Sequence, residues 1–189
     1  MQLHFGPSLL FLMSRIRWGK FKTEKMEKLF SIYVACGLKH APEEYRNFIT
    51  EFKGHLSFET GYNILDFKLD QRSSPGEVYT HDIGNQVRIS DVIIADLSYP
   101  STGEGYEMAT QIEKYGKPVI GLAKAGSEVS RLILGIPGFT VDYYRDLDEM
   151  LHLAMSRLAT IRKNLAQKGK LIVLDGLDGS GKRRRWQSW

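Results

Sequence analysis

At 189 residues with 42% hydrophobic content, the chain has room for one well-packed domain and not for a second complete one. Its formal charge of +4 belongs to its ends: residues 1 to 30 carry six Lys/Arg against two Glu, and Arg183 to Arg185 add three positives, leaving 17 basic against 20 acidic residues between 31 and 182. A core near −3 argues against a nucleic-acid-binding face, the single Cys36 excludes an internal disulfide and suits a reducing cytoplasm, and no apolar run approaches the ~20 residues of a membrane span.

In chain order, residues 1 to 29 are expected to form a disordered or loosely helical extension. The apolar run Leu9 to Met13 is too short for a secretion signal and positive charge follows it, while Met26 would serve as an alternative start. Strand and helix then alternate through residues 30 to 167. Strands are predicted at 31–36, 62–67, 91–97, 117–123 and 138–142. Helices are predicted at 42–55, 79–89, 103–115, 127–134 and 145–167, the last with Leu147, Met150, Leu151, Ala154, Leu158 and Ile161 at helical spacing. Such alternation predicts an α/β domain, an open parallel sheet with helices on both faces. Asp70 to Gly76 (Asp-Gln-Arg-Ser-Ser-Pro-Gly) is predicted as a loop able to act as a lid.

The most informative stretch is Asp91 to Glu107, DVIIADLSYPSTGEGYE. Its first six residues read as a buried parallel strand, and Pro100, Ser101 and Thr102 supply a break and helix-capping side chains. Gly103 and Gly105 permit a ligand to approach the backbone, which places Tyr106 and Glu107 on the first turn of the next helix above the carboxyl edge of the sheet. At a helix N-terminus Glu107 is expected to stay ionised and nucleophilic; the competing reading is a solvated first-turn glutamate. Glu104, in the same turn, is unusual, because a further negative charge near a phosphate would be unhelpful unless it points to solvent.

Four pieces together resemble one known family: Ser31-Ile-Tyr-Val-Ala-Cys-Gly37 as a strand ending in a small-residue loop, His81-Asp82 at a helix start, Pro100-Ser-Thr-Gly-Glu-Gly-Tyr-Glu107, and Val129-Ser130-Arg131. They span residues 31 to about 150 and are similar to the nucleoside 2-deoxyribosyltransferase-like family, particularly its branch of 2′-deoxynucleoside 5′-monophosphate N-glycosidases. The resemblance implies a flavodoxin-like (Rossmann-like) order of five parallel strands. It implies Glu107 as the nucleophile at C1′ and Asp82 as the residue that contacts the sugar or assists protonation of the leaving base. Two carboxyls ~5 Å apart suit such a double displacement. Asp82 is otherwise a plain N-cap. Tyr33 either orients Glu107 through a hydrogen bond or is simply core.

The same resemblance places substrate phosphate or sugar against Cys36 and Gly37 and the 5′-phosphate against Ser101 and Gly103, with Gly105 also counted among the substrate-binding residues. Lys39 and His40 either add positive charge there or are merely exposed. Ser130 would reach the phosphate of a neighbouring subunit, with Arg131 beside it, so a homodimer with shared sites is implied. Cys36 lacks the partners of a thiol nucleophile. No metal is expected, since no His, Cys and carboxylate cluster has ligand spacing, and no other cofactor is expected.

Residues 168 to 189 carry a second resemblance. Lys170-Leu-Ile-Val-Leu-Asp-Gly-Leu-Asp-Gly-Ser-Gly-Lys182 is a strand followed by G-x-x-x-x-G-K and looks like the opening of a thymidylate kinase. Gly176, Gly181 and Lys182 would form its phosphate loop, but Arg183 stands where Mg²⁺ binding needs Ser or Thr. The segment reads as the remnant of a fusion with an aberrant tail, and ATP binding is not expected.

The resemblance thus implies an enzyme that hydrolyses the N-glycosidic bond of 2′-deoxynucleoside 5′-monophosphates through a deoxyribosyl-Glu intermediate. The alternatives are base exchange on free deoxynucleosides and a non-catalytic nucleotide-binding module.

Overall fold

The computed structural model describes residues 30–39, 41–65 and 74–167. The N-terminal extension, the kinase-like segment with Gly176, Gly181 and Lys182, and His40 lie outside those residues.

The chain alternates β1 (Ser31–Cys36), α1 (Glu43–Thr60), β2 (Asn63–Leu65), α2 (Pro75–Tyr79), β3 (Val92–Asp96), α3 (Thr102–Ala109), β4 (Val119–Lys124), α4 (Arg131–Leu134), β5 (Val141–Tyr144) and α5 (Leu147–Gln167). All five strands are parallel in the order β2-β1-β3-β4-β5, the flavodoxin-like doubly wound arrangement. β3, Val-Ile-Ile-Ala-Asp, is buried throughout because it pairs on both sides and is covered on both faces. Alternation divides its neighbours. Tyr33, Ala35, Ile93 and Ala95 pack with Ile83, Val87 and Met108 in one cluster. Ile32, Val34 and Ile94 point to the opposite face, where α1 and α5 contribute Phe52, Leu56, Met150 and Leu158 to the core.

Two helices depart from the α pattern. α2 runs directly into a π-helical stretch, Thr80–Val87, where Arg88 N–H reaches back five residues to Ile83 O at 3.1 Å. α3 continues likewise into Thr110–Lys114, where Tyr115 N–H bonds Thr110 O at 3.3 Å. π-helical stretches are uncommon and often lie beside functional sites.

The structure corrects three predicted elements. Ser74 is an N-cap, not loop: its Oγ accepts from Glu77 N–H at 3.3 Å, and its own N–H donates to Glu77 Oε2 at 2.7 Å, with Pro75 at the first helical position. The predicted lid therefore ends earlier than Gly76, and residues 70–73 of it lie outside the described residues. The helix predicted at 127–134 shortens to Arg131–Leu134, preceded by four residues without regular secondary structure. The strand predicted at 138–142 sits later, at Val141–Tyr144.

Candidate active site

The site forms where β1 and β3 end together, since Cys36 pairs with Asp96 in the sheet register. Gly37 then passes so close to the loop after β3 that a Cβ would lie 2.5 Å from Tyr99 O and 3.2 Å from Ser101 Cβ. Only glycine fits this approach, which draws the two loops into one wall.

Ser101 caps α3, its extended backbone (φ −144°) letting Oγ accept from Glu104 N–H at 3.3 Å. This cap fixes the register of the helix. Glu107 is the sixth helical residue, in the second turn and not the first as predicted, and it faces the sheet with 9% exposure. Tyr33 reaches it from β1, donating its hydroxyl to Glu107 Oε1 at 3.1 Å. Burial pushes the Glu107 carboxyl from 4.5 up to about 7; the Tyr33 bond pulls it down, and the negative charge of Asp82 adds to the rise. The helix dipole does not keep this glutamate fully ionised, as the sequence suggested it would.

Asp82 lies on the π-helical continuation of α2. Because Ser74 caps that helix, Asp82 is neither at a helix start nor an N-cap. Its Oδ1 is 3.2 Å from His81 Nδ1. Burial raises its carboxyl and the contact with His81 opposes the rise. Its charge acts on both Glu107 and Tyr33, so the three share one space.

Beside them lies a cavity of about 660 Å³ lined by Ser101, Glu104 and Gly105 on one side and Ser130 and Arg131 on the other. Gly103 lies in the same first turn of α3. Ser130 and Ser101 of a single chain thus meet at one cavity. Burial pushes the Cys36 thiol up to about 12, which makes it a poor nucleophile. Lys39 is exposed.

Glu104 does not point to solvent; it is 3% exposed, and burial, then Asp96, then Glu107, push its carboxyl up to about 9. Asp96 went unnoticed in the sequence as a strand end. It is fully buried, accepting from Ser98 N–H at 2.9 Å and from the Tyr144 hydroxyl at 2.6 Å, and burial raises its carboxyl too. Among the described residues no group of His, Cys, Asp and Glu is arranged to hold a metal, and no helix is long and apolar enough to cross a membrane.

No family model matches the sequence. A protein of Thermofilum pendens, provisionally named 2′-deoxynucleoside 5′-phosphate N-hydrolase 1, is 37% identical over 100 residues, which cover 51% of this chain and 67% of that protein. The chain belongs to the 2′-deoxynucleoside 5′-phosphate N-hydrolase family. A second member, the 5-hydroxymethyl-dUMP N-hydrolase of Danio rerio, is 28% identical over 127 residues, 65% of this chain and 82% of its own. The fold of the N-hydrolase domain is also that of a CMP N-glycosidase of Clostridium botulinum, with a TM-score of 0.50 and 19% identity over 66% of this chain and 98% of the other.

Proposed function

We propose that this chain hydrolyses the N-glycosidic bond of 2′-deoxynucleoside 5′-monophosphates. The observation that carries the reading is the buried Glu107 carboxyl, hydrogen-bonded by Tyr33 and electrostatically coupled to Asp82, at the carboxyl edge of the sheet beside a cavity entered by a helix N-terminus. Family membership supports the same substrate class.

In the first step a Glu107 carboxylate oxygen bonds to C1′ as the C1′–N bond breaks, and the bond's electron pair leaves on the base. In the reactive form the one proton shared by the coupled Glu107–Asp82 pair sits on Asp82, which passes it to the departing base. In the second step Asp82, now ionised, takes a proton from water whose oxygen attacks C1′. The ester to Glu107 breaks, and free base and deoxyribose 5-phosphate are the products. Tyr33 holds Glu107 in orientation and stabilises its charged form. The 5′-phosphate is held by Ser101 Oγ, by the N–H groups that open α3, including that of Gly103, and by Arg131 and Ser130 across the cavity, with Gly105 giving it room and Cys36 and Gly37 forming the adjoining wall.

The active form under this reading is a homodimer, but because Ser130 lines the same cavity as Ser101 of its own chain, Ser130 is given to its own chain's phosphate and not to a neighbour's. Leu132, 81% exposed on α4 directly after Ser130 and Arg131, offers an apolar surface beside the cavity. The lone cysteine accords with a cytoplasmic enzyme.

Chromatography of products from a mixture of 2′-deoxynucleoside 5′-monophosphates tests the reading, with Glu107→Ala run alongside. Free base and deoxyribose 5-phosphate are expected from the wild type, and at least ~10³-fold less from the variant. Base exchange between deoxynucleosides without hydrolysis, or binding without turnover, would overturn it.

A further inference from the structure

α3 carries a carboxyl that the two-step reaction leaves unused. Glu104 is buried to 3% exposure, lines the cavity with Ser101 and Arg131, and has an Oε1 with no hydrogen-bond partner. Buried polar atoms are rarely left unpaired, so an unpartnered oxygen on a carboxyl whose side chain lines a cavity marks a group that a ligand there can complete. Cys36 from β1, Tyr45 from α1, Asp96 from β3 and Glu107 one turn along its own helix all interact with it electrostatically. Neither charge that acts on its titration, Asp96 nor Glu107, is positive. Glu128 and Arg131 line the far side of the cavity.

With burial and two neighbouring acids all favouring the neutral form, this carboxyl keeps its proton at neutral pH. It is therefore an O–H donor, not an anion. It sits at the third position of a helix whose Ser101 cap and opening N–H groups already favour an anion.

We infer that Glu104 is a specificity residue for the phosphorylated substrate: as a neutral carboxylic acid it donates a hydrogen bond to a 5′-phosphate oxygen, and when ionised it repels that group. The inference rests on the nucleotide-hydrolase reading and adds a discriminator to it. A nucleotide is preferred over its nucleoside while Glu104 is protonated, and the preference collapses as Glu104 titrates.

The test compares wild type, Glu104→Gln and Glu104→Val on a 2′-deoxynucleoside 5′-monophosphate and on the matching deoxynucleoside from pH 6 to 10. A hydrogen bond to a charged group predicts a ~10- to 100-fold higher nucleotide KM for Glu104→Val at pH 7, with little change on the nucleoside. Glutamine restores a donor, so Glu104→Gln recovers most of that loss. The rise in nucleotide KM that the wild type shows above about pH 9 is absent from Glu104→Gln. Wild-type nucleotide KM in Glu104→Val, or an alkaline rise that survives in Glu104→Gln, overturns the inference. Circular dichroism verifies that each variant is folded, and Glu104→Gln alone decides the matter if valine prevents folding. If the wild type releases no base, the hydrolase reading fails separately; calorimetric binding of the nucleotide over the same pH series then decides the role of Glu104 by the same criteria.

Discussion

Tyr33→Phe removes one hydroxyl and nothing else from the site. That hydroxyl lies 3.1 Å from Glu107 Oε1 and pulls the carboxyl down against the rise that burial imposes. A hydrogen bond to a charged group contributes about 1.5–3 kcal/mol, and 1.36 kcal/mol corresponds to one pH unit of titration. Without the bond, the acid limb of the kcat/KM profile, set by Glu107 at about 7, moves upward by about one to two pH units. At pH 7 the ionised fraction of Glu107 falls from roughly half to roughly 1–10%, so kcat/KM drops about 5- to 50-fold. Above pH 9.5 the variant approaches the wild type within a few fold, because both glutamates are then largely ionised. Initial rates of base release from a 2′-deoxynucleoside 5′-monophosphate, measured from pH 5.5 to 10, trace the two profiles. A uniform loss at every pH with an unmoved acid limb would refute the assignment, since the hydroxyl would then act on substrate and not on Glu107.

Two further outcomes follow from the packing. In the unfolded chain the Glu104 proton leaves near 4.5, whereas the native state holds it to about 9, so the folded protein binds more protons between those values and loses stability as pH rises through them. Glu107 and Asp96 shift in the same direction, and together they make thermal stability highest near pH 5 and lower by several kcal/mol near pH 9. Melting curves at pH 5, 7 and 9 check this, and a melting temperature that climbs with pH contradicts it. Gly37→Ala places a Cβ against Tyr99 O and Ser101 Cβ, a backbone clash that costs about 1–3 kcal/mol and displaces the Ser101 cap. Its melting temperature falls by several degrees and its nucleotide KM rises; a variant with neither change shows that the loop approach is slack.

The strand pattern was legible because β3 is a continuous apolar run, and buried parallel strands have no other signature. The strand order was not in the periodicity; it came from the family resemblance, and the sheet has that order. The start of α2 was missed although Ser74-Pro-Gly-Glu77 contains a capping box, because Ser-Pro-Gly reads equally well as a turn. The π-helical stretch around Asp82 left no mark in the sequence, since bonding five residues back demands no particular side chains. The Tyr144 bond to Asp96 joins residues 48 positions apart and follows only from the fold. Glu104 is different. With Ser101 as cap, Glu104 and Glu107 are three residues apart on one helical face, with Met108 and Gln111 continuing it, and all four are buried. A glutamate aimed into the site obliges its i−3 neighbour to turn inward as well, so the burial of Glu104 was deducible from spacing once Glu107 was chosen.

That pairing also explains why the dipole argument failed. A helix N-terminus favours a negative side chain by about 0.3–1 kcal/mol, and mainly within the first turn. Raising a carboxyl from 4.5 to about 7 corresponds to about 3 kcal/mol in the other direction, and Glu107 stands in the second turn. Desolvation therefore decides, and only the Tyr33 bond offsets it appreciably. The charge state of Glu107 depends on what else occupies the pocket. Each further negative charge beside it, whether Asp82 or an ionised Glu104, makes the nucleophilic form scarcer. A protonated Glu104 is then the condition under which a phosphate can enter the neighbouring cavity while Glu107 remains ionised often enough to react.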